Sequence, residues 1–321
     1  MKRLAITWLV LLQTFPLFAA ERSVILRKRG SGVEILVDRK VVTRYVPGDE
    51  KTPRPFFEPL LTTTGKQVTR NRPPVEGQDA ADHSDMHPGL WLSFGDISGN
   101  DYWRLKSRVE FIELLGIPAT LDHVGHFAAR HRYHAADGKE PIAEETMRVR
   151  VHAVEHGYRL EILSEFRPLQ EQMDLGDQEE MGFAVRLATP LAADRKLGGR
   201  ILDSEGRKNG AEIWGRTADW CDYSGPMENR WVGVTLMADP ANFRPSWLHA
   251  RDYGLLVLNP FGRKAFTKGE TSRVVVRKGD VFGVNFAVVV HDTPDEKAYV
   301  PAAAFELYKD DLIARNRKSR R

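Results

Sequence analysis

The chain has 321 residues, of which 47 are Lys or Arg and 44 are Asp or Glu, and its formal net charge is +3. This charge is ordinary for a chain of this size, and no base-stacking motif accompanies its basic C-terminal end, which argues against a nucleic-acid partner. Cys221 is the single cysteine, so no internal disulfide forms and the stability of the chain depends on its hydrophobic core.

The beginning of the chain is typical of an export signal. Lys2 and Arg3 precede an apolar run over residues 4–17, and Phe18-Ala19-Ala20 ends it with small residues. The run is shorter than the roughly 20 apolar residues of a membrane span. We therefore predict a signal peptide over residues 1–20, a periplasmic or extracellular location, and no membrane-spanning segment after the signal. An uncleaved anchor is the alternative interpretation.

Apolar and polar side chains alternate with a period of two residues through most of the remaining chain. The clearest case is a predicted hairpin, in which residues 147–153 and 158–162 alternate on either side of a turn at His156-Gly157. A second hairpin is predicted around the turn at Lys278-Gly279-Asp280. Similar short runs predict strands at residues 33–37, 41–45, 183–187, 232–237, 255–258, 273–277 and 281–290.

One convincing helix pattern occurs near the end of the chain. Pro301 opens residues 302–314, where Phe305, Tyr308 and Leu312 fall on one helical face. The residues that follow are strongly basic and are predicted to form a solvated tail.

These elements predict an all-β fold, because many strands joined by long loops are typical of a large antiparallel β-sandwich. We predict a single sandwich domain over residues 21–300. A C-terminal helix and basic tail follow over residues 301–321. One broad sheet face of such a sandwich commonly carries the ligand site.

The segment that begins at Asp82 concentrates the residue types found in the walls of binding sites. His83, His87, Trp91 and Trp103 occur here among four carboxylates and several Gly and Pro residues. A core segment does not carry so many titratable groups, because each one needs a partner when it is buried. Imidazole and carboxylate supply acid–base chemistry, and aromatic faces hold an apolar or sugar-like ligand.

The two histidines of this segment are four residues apart, a spacing that on a helix places both imidazoles on one face, as a metal pair requires. Pro88-Gly89 follows directly, so we predict a loop instead. In a loop one histidine would bond backbone and the other would be exposed, or both would belong to a site. Clustering with carboxylates such as Asp96 keeps His83, His87 and Asp96 as catalytic candidates.

Three later segments add candidates. His123 lies in a histidine-rich stretch that would supply a further ligand or acid, with an exposed polar loop as the alternative. Asp222 and Tyr223 are hard to place in a core, because both need hydrogen-bond partners when buried. His249 and Arg251 alternate in an extended segment and so point to the same side. They suit a polyhydroxyl or carboxylate ligand, or else they form a half-exposed strand.

Several of these motifs together resemble a bacterial family of unknown function whose members carry the label PmoA-like, or methane oxygenase. The motifs that carry the resemblance are Arg54-Pro55-Phe56, Asp82-His83, Met86-His87-Pro88-Gly89-Leu90-Trp91, Trp220-Cys221-Asp222-Tyr223-Ser224-Gly225, Trp247-Leu248-His249-Ala250-Arg251 and Asn259-Pro260-Phe261-Gly262. The resemblance implies an exported protein of bacteria that degrade polysaccharides, with a supersandwich similar to that of galactose mutarotases.

Three functions follow from these observations. The first is a carbohydrate-active epimerase, lyase or hydrolase with His83 or His87 as acid and Asp96 or Asp222 as base. Its substrate, a small molecule or oligosaccharide, would contact the residues Trp91, Trp103, Tyr223, His249 and Arg251. The second is a glycan-binding protein without catalysis. The third is a metal-dependent oxidase with His83, His87 and either His123 or His249 as ligands of a divalent metal; the first two functions need no cofactor.

Overall fold

A computed structural model describes residues 22–138 and 140–319. The predicted signal peptide lies outside these residues, as does the end of the basic tail. In the described part of the chain nineteen strands form, which are β1 (Val24–Arg29), β2 (Gly32–Val37), β3 (Lys40–Val46), β4 (Phe56–Phe57), β5 (Leu90–Phe94), β6 (Val109–Leu114), β7 (Ala119–Leu121), β8 (Val124–His134), β9 (Pro141–Val154), β10 (Gly157–Pro168), β11 (Gln172–Leu175), β12 (Met181–Arg186), β13 (Arg200–Asp203), β14 (Trp220–Met227), β15 (Arg230–Ala238), β16 (Trp247–Arg251), β17 (Leu255–Asn259), β18 (Val274–Arg277) and β19 (Phe282–Thr293). The α-helices there are α1 (Asn209–Ile213), α2 (Arg263–Thr267) and α3 (Pro301–Ser319).

The strands form two large antiparallel sheets. The eight-stranded sheet has the order β1-β2-β3-β4-β5-β12-β17-β16. The nine-stranded sheet has the order β13-β14-β15-β19-β10-β9-β8-β6, with β7 also paired to β8. Strands β11 and β18 form a separate two-stranded sheet. The predicted all-β class, the large antiparallel sandwich and the C-terminal helix are confirmed.

The predicted hairpin around His156-Gly157 is confirmed by the pairing of β9 with β10. Its apolar positions, such as Val149 and Ile162, face the interior and are buried, as period-two alternation requires. Gly157 allows the next strand to approach closely, since a Cβ atom there would lie 1.8 Å from the carbonyl oxygen of Val290. The turn residue therefore also fixes the contact between β10 and β19.

The second predicted hairpin is wrong. A turn does form, with the amide of Asp280 donating to the carbonyl of Arg277 at 2.9 Å. However, β18 pairs with β11, whereas β19 pairs with β10 on one side and β15 on the other. Because both edges of β19 are occupied, β18 has no free edge to join there.

The main hydrophobic core lies between the two large sheets and contains side chains from both. Phe183 of the eight-stranded sheet stacks on Phe286 of the nine-stranded sheet with ring centroids 5.3 Å apart. Phe94 and Tyr133 meet across the same space at 6.3 Å. Each strand thus sends alternate side chains inward, and the remaining side chains are left for the two outer faces.

Helix α3 covers the outer face of the nine-stranded sheet. Phe305 and Tyr308 are buried there, and Leu312 packs against the same cluster, as the predicted helical face requires. The helix extends beyond the predicted end at Ala314. Arg315, expected in a solvated tail, instead donates to buried Glu161 at 2.5 Å. No helix within the described residues has the length and apolar character needed to cross a bilayer.

Candidate functional site

A row of side chains crosses the outer face of the eight-stranded sheet. Strand register places Trp91, Ala184, Val257 and His249 next to one another on four adjacent strands. Their chain neighbours, such as Leu258, point into the core instead. Two small residues lie in the middle of the row, so the sheet surface is low between Trp91 and His249.

An open cavity of about 540 Å³ lies at the His249 end of this row. Its walls come from four segments around β16 and β17. The lining residues are Arg104, Glu179, Glu180, Asp194, His249, Arg251, Asp252 and Tyr253. Planar charged groups of both signs and one aromatic ring therefore face a volume that suits a small polar ligand.

Glu179 is the most constrained carboxylate of the cavity. Its Oε1 atom accepts from Nη2 of Arg251 at 2.5 Å and from Nε1 of Trp214 at 3.2 Å, and it lies 3.0 Å from Nε2 of His249. These three contacts share one oxygen, so Oε2 is the oxygen left to face a ligand. Glu179 follows no local sequence pattern and was not among the predicted site residues.

His249 is buried beside Glu179 and is neutral at ordinary pH. Burial is the main cause that lowers the pKa of His249 to about 4, the charge of Arg251 lowers it further, and Glu179 opposes both. Nε of Arg251 lies 3.0 Å from Nε2 of His249 and donates to it when the imidazole is neutral. A carboxylate and a neutral imidazole are therefore held in contact at the cavity wall, which is an arrangement able to exchange a proton.

His83 and His87 lie in a turn, as predicted, and not in a helix or strand. One hydrogen bond from the amide of His87 to the carbonyl of His83, 2.9 Å long, nevertheless winds the segment by a single helix-like turn. The two rings stack with centroids 4.9 Å apart, and His87 stacks in turn on Trp91 at 5.3 Å. The segment thus lies over the Trp91 end of the row.

Three buried arginines hold this turn in place. Arg54 donates to the carbonyl of Met86. Arg70 donates to the carbonyl of Asp82 at 2.6 Å, and Arg186 donates to Oδ1 of Asp82 at 2.7 Å. Arg70 and Arg186 thus pair with the carboxylate of Asp82, whereas Arg54 contacts a backbone carbonyl and the ring of Trp91 and forms no ion pair with a described residue.

Trp91 and Trp103 are 1% and 0% exposed, with ring centroids 5.3 Å apart. They pack on each other and on His87. Their rings are therefore covered in this structure and cannot stack on a sugar as predicted. Tyr253 presents the aromatic ring at the cavity instead, and its ring also lies 4.5 Å below the guanidinium of Arg186. Arg186 could have been identified from the sequence as a candidate site residue, because it is the one charged residue in the apolar run at 183–187.

Tyr253 therefore lies between two of the segments that were predicted to form the site. The turn at His83 and His87 and the segment of His249 and Arg251 lie on the same outer sheet face, with Arg186 and Tyr253 between them. Arg104 approaches the same cavity from the residue after Trp103, and it pairs with Glu180 at the rim.

The structure does not bring Asp222 to this face, so its expected place in the pocket wall is wrong. Asp222 lies on the outer face of the nine-stranded sheet, where it contacts His291 at 2.9 Å and accepts from Thr235 at 2.8 Å. Adjacent residues of a strand point to opposite faces, and Tyr223 accordingly points into the core. Its hydroxyl donates to the carbonyl of Asp252 at 2.7 Å, behind the cavity and not inside it.

Asp96 is also apart from the histidines. It lies after β5, accepts from the amide of Gly99 at 2.8 Å, and lines a different cavity of about 360 Å³ with Asp174 and Arg273. His123 lies in the turn between β7 and β8 of the nine-stranded sheet.

Asp82, His83 and His87 form a group whose ligand atoms lie within 4.8 Å of one another, which is the spacing of a metal site. The charges around the group do not fit a divalent cation. Asp82 already pairs with Arg70 and Arg186, and the guanidinium groups that surround His87 would repel a metal ion. Neither His123 nor His249 belongs to this group.

The fold and cavity define an all-β sandwich protein with a charged cavity on one outer sheet face. The chain belongs to the family described as a family of unknown function, DUF6807, whose model matches residues 32–304. No curated protein matches it by sequence.

Solved structures resemble the fold at low sequence identity. A GalM/aldose epimerase homologue from C. elegans is 8% identical, with a TM-score of 0.36 over 85% of this chain and 99% of that one. A galactose mutarotase-like protein from Lactobacillus casei is 11% identical, with a TM-score of 0.36 over 84% of this chain and 100% of that one.

Proposed function

We propose that the protein is an exported enzyme that acts on a sugar by acid–base chemistry, with Glu179 as base and His249 as its proton partner. The observation that carries this proposal is the contact of these two side chains, 3.0 Å apart, at the wall of a cavity of about 540 Å³. The pair replaces the predicted roles of His83, His87, Asp96 and Asp222.

The proposed chemistry needs only proton movement. Oε2 of Glu179 takes a proton from a sugar hydroxyl while Arg251 holds Oε1. The neutral imidazole of His249 takes this proton over from the carboxylate and releases it to a second sugar oxygen, so the pair gains and loses no net proton. Epimerisation at the anomeric carbon requires one base and one acid, which this pair supplies. Lyase or hydrolase chemistry would use the same base on a longer glycan.

The cavity wall supports a polyhydroxyl substrate. Guanidinium groups donate to sugar oxygens, and the carboxylates of Asp194, Asp252 and Glu180 accept from hydroxyls. Tyr253 supplies an aromatic face for the apolar side of a sugar ring.

The test uses the mature chain, residues 21–321, and exchange NMR of the anomers of simple aldoses. Glu179→Gln and His249→Asn are expected to lower the exchange rate by roughly 100-fold or more, the range of general acid–base contributions. Glu110→Gln is the matched control, because Glu110 contacts His134 at 2.7 Å on the nine-stranded sheet, remote from the cavity.

An exchange rate that Glu179→Gln leaves unchanged would remove Glu179 from the mechanism. Sugar binding by the wild type, detected by saturation-transfer NMR, without turnover of aldoses or longer glycans would favour the non-catalytic glycan-binding function instead. Export is tested separately by sequencing the N-terminus of the secreted protein, which should begin after residue 19 or 20.

The metal-dependent oxidase implied by the PmoA-like label is the other function to compare. Asp82, His83 and His87 are the group that favours it by spacing. The surrounding arginines oppose it, so we derive no step through a metal. Metal analysis of the purified mature protein compares the two, and a bound copper, iron or zinc ion lost in His87→Ala would favour the oxidase.

A further inference from the structure

Buried hydrogen-bond donors gather beneath the turn of residues 79–88 without acceptors. They surround His87, which is itself buried and has no hydrogen-bond partner for either ring nitrogen among the described residues. The donor atoms in the same condition are Nε and Nη1 of Arg54, Nε and Nη1 of Arg186, Nε1 of Trp91 and Nε1 of Trp103. Buried donors are normally paired, so this concentration requires an explanation.

The atoms belong to one cluster. The guanidinium of Arg54 lies 5.3 Å from the Trp91 ring, and the ring of His87 lies 5.3 Å from Trp91 and 5.9 Å from Trp103. Arg186 reaches the same place through Asp82, whose neighbour His83 stacks on His87.

The cluster also has an excess of positive charge. Arg54, Arg70 and Arg186 are 1%, 4% and 1% exposed, and Asp82 is the carboxylate that pairs with two of them. Arg54 makes no ion pair with any described residue. Asp82 is shared between Arg70 and Arg186, Asp79 also acts on Arg70, and Arg54 has no carboxylate partner, which is unfavourable for a buried charge without a counter-ion.

We propose that this arginine cluster binds an oxyanion, and that the oxyanion is the acidic group of the sugar substrate. The cluster adjoins the cavity of Glu179, because Tyr253 lines that cavity and its ring lies 4.5 Å from the guanidinium of Arg186 in the cluster. That the ligand is a sugar rests on the proposed function. That it carries an anionic group rests on the buried positive charge and on the unpaired donors. Carboxylate, sulfate and phosphate groups all match guanidinium and indole donors.

Access requires the turn of residues 79–88 to move, because the donor atoms are closed to solvent in this structure. The outer side of that turn is exposed at Asp82 and His83. A ligand anion would replace Asp82 as the partner of Arg186 and would accept hydrogen bonds from the unpaired nitrogen atoms of Arg54.

The experiment measures melting temperature and calorimetric affinity of the mature chain with sodium glucuronate, sodium sulfate, sodium chloride and glucose, the salts at equal ionic strength. We expect glucuronate to stabilise the wild type beyond chloride and glucose. Arg54→Met and Arg186→Met should each weaken glucuronate binding by roughly 10- to 100-fold, the loss expected for hydrogen bonds to a charged group. Arg132→Met, whose arginine pairs with Glu144 on the other sheet, should bind as the wild type does.

The two arginine variants keep the test meaningful if one fails to fold. Absence of any anion-specific stabilisation, or stabilisation that the folded variants retain, overturns the site. Stabilisation by sulfate without glucuronate overturns the assignment to a sugar acid. Stabilisation by zinc or copper in place of anions, lost in His87→Ala, also overturns it.

Failure of this proposal is distinguishable from failure of the proposed function. Anomer exchange of neutral sugars that depends on Glu179, with no anion effect, removes the anion site alone. Anion binding that depends on Arg54, with no turnover of any sugar, removes the catalytic function alone.

Discussion

Nε2 of His291 lies 2.9 Å from Oδ1 of Asp222, and both side chains are completely buried. Ser224 and Thr235 donate to the same carboxylate, and the ring of Tyr299 stacks on His291 at 3.8 Å. Tyr299 lies two residues before the start of α3 at Pro301. The pair therefore stabilises the place where the chain enters the C-terminal helix.

Removing one member of this pair should be costly. We expect Asp222→Ala to lower the free energy of unfolding by about 3–5 kcal/mol, because the polar partners stay buried without it. Glu165→Ala is the control, since Glu165 pairs with Arg148 at the surface of the same domain and should cost at most about 1 kcal/mol. Urea unfolding at neutral pH gives both values, and equal losses would contradict the role of burial.

The same carboxylate makes stability depend on acid. Burial alone raises the pKa of Asp222, but His291 and the hydroxyl donors outweigh burial and hold the pKa below its ordinary value of 3.8. The folded state therefore binds this proton less readily than the unfolded state does. The stabilisation is complete above that ordinary value and is lost as the pH falls through the lower folded pKa, so Asp222→Ala should lose less stability than the wild type in this acid range.

His87 gives a second pH dependence, in a milder range. Burial first, and then the charges of His83, Arg186, Arg54 and Arg70, lower its pKa from 6.5 to about 2. The unfolded chain thus takes up a proton below pH 6.5 that the folded chain refuses, and stability falls by about 1.4 kcal/mol for each pH unit from this group alone.

We expect His87→Phe to flatten the dependence of unfolding free energy on pH between pH 6.5 and 4.5 by up to that slope. Urea titrations at several pH values measure it. Trp103→Phe disturbs the same cluster without removing a titratable group and should keep the wild-type slope. An unchanged slope in His87→Phe would mean that the pKa of His87 in the folded state is close to its ordinary value.

The cavity should show opposite effects of two neighbours on His249. Arg251 lowers the pKa of His249 and Glu179 raises it. Arg251→Met should therefore move the pKa upward from about 4, and Glu179→Gln should move it downward. NMR titration of the His249 ring signals measures both. Arg104→Met, in the same cavity, is the control and should leave the value unchanged, whereas shifts in one direction for both test variants would contradict the contact geometry.

The packing of α3 gives a test of the fold itself. Phe305→Ala should lower the free energy of unfolding by about 3–5 kcal/mol, because the side chain is 3% exposed in the cluster below the helix. Leu307→Ala, at a position that is 60% exposed, should change it by less than about 0.5 kcal/mol. Thermal or urea unfolding distinguishes them, and similar losses would mean that the helix does not pack by this face.

The sequence predicted local elements well because their signals are local. Alternation specified the β9–β10 hairpin, and helical spacing specified which face of α3 is buried. Pairing between distant strands has no such local signal. The pairing of β18 with β11, in place of the predicted hairpin with β19, could therefore not be predicted. The prediction of the site residues failed for the same reason, because Glu179 reaches the cavity from a loop whose position depends on the whole sandwich.

One error was avoidable from the sequence. Asp222 and Tyr223 are adjacent in a strand, so period-two alternation already excludes a shared pocket wall for their side chains. His249 and Arg251, two residues apart, satisfied the same rule and do share a cavity. Arg54 and Arg186 are charged residues beside apolar strand residues, which is only a weak indication of a site. Their burial in the structure is what makes them informative.

The hydroxyl of Tyr223 has a consequence for how the cavity varies. It comes from the nine-stranded sheet, crosses the core and bonds the carbonyl of Asp252 in the turn between β16 and β17. The aperture of the cavity is thereby tied to the spacing between the two sheets. Substitutions that thicken or thin the core far from the cavity should therefore alter the width of its opening, without changing a residue that lines it.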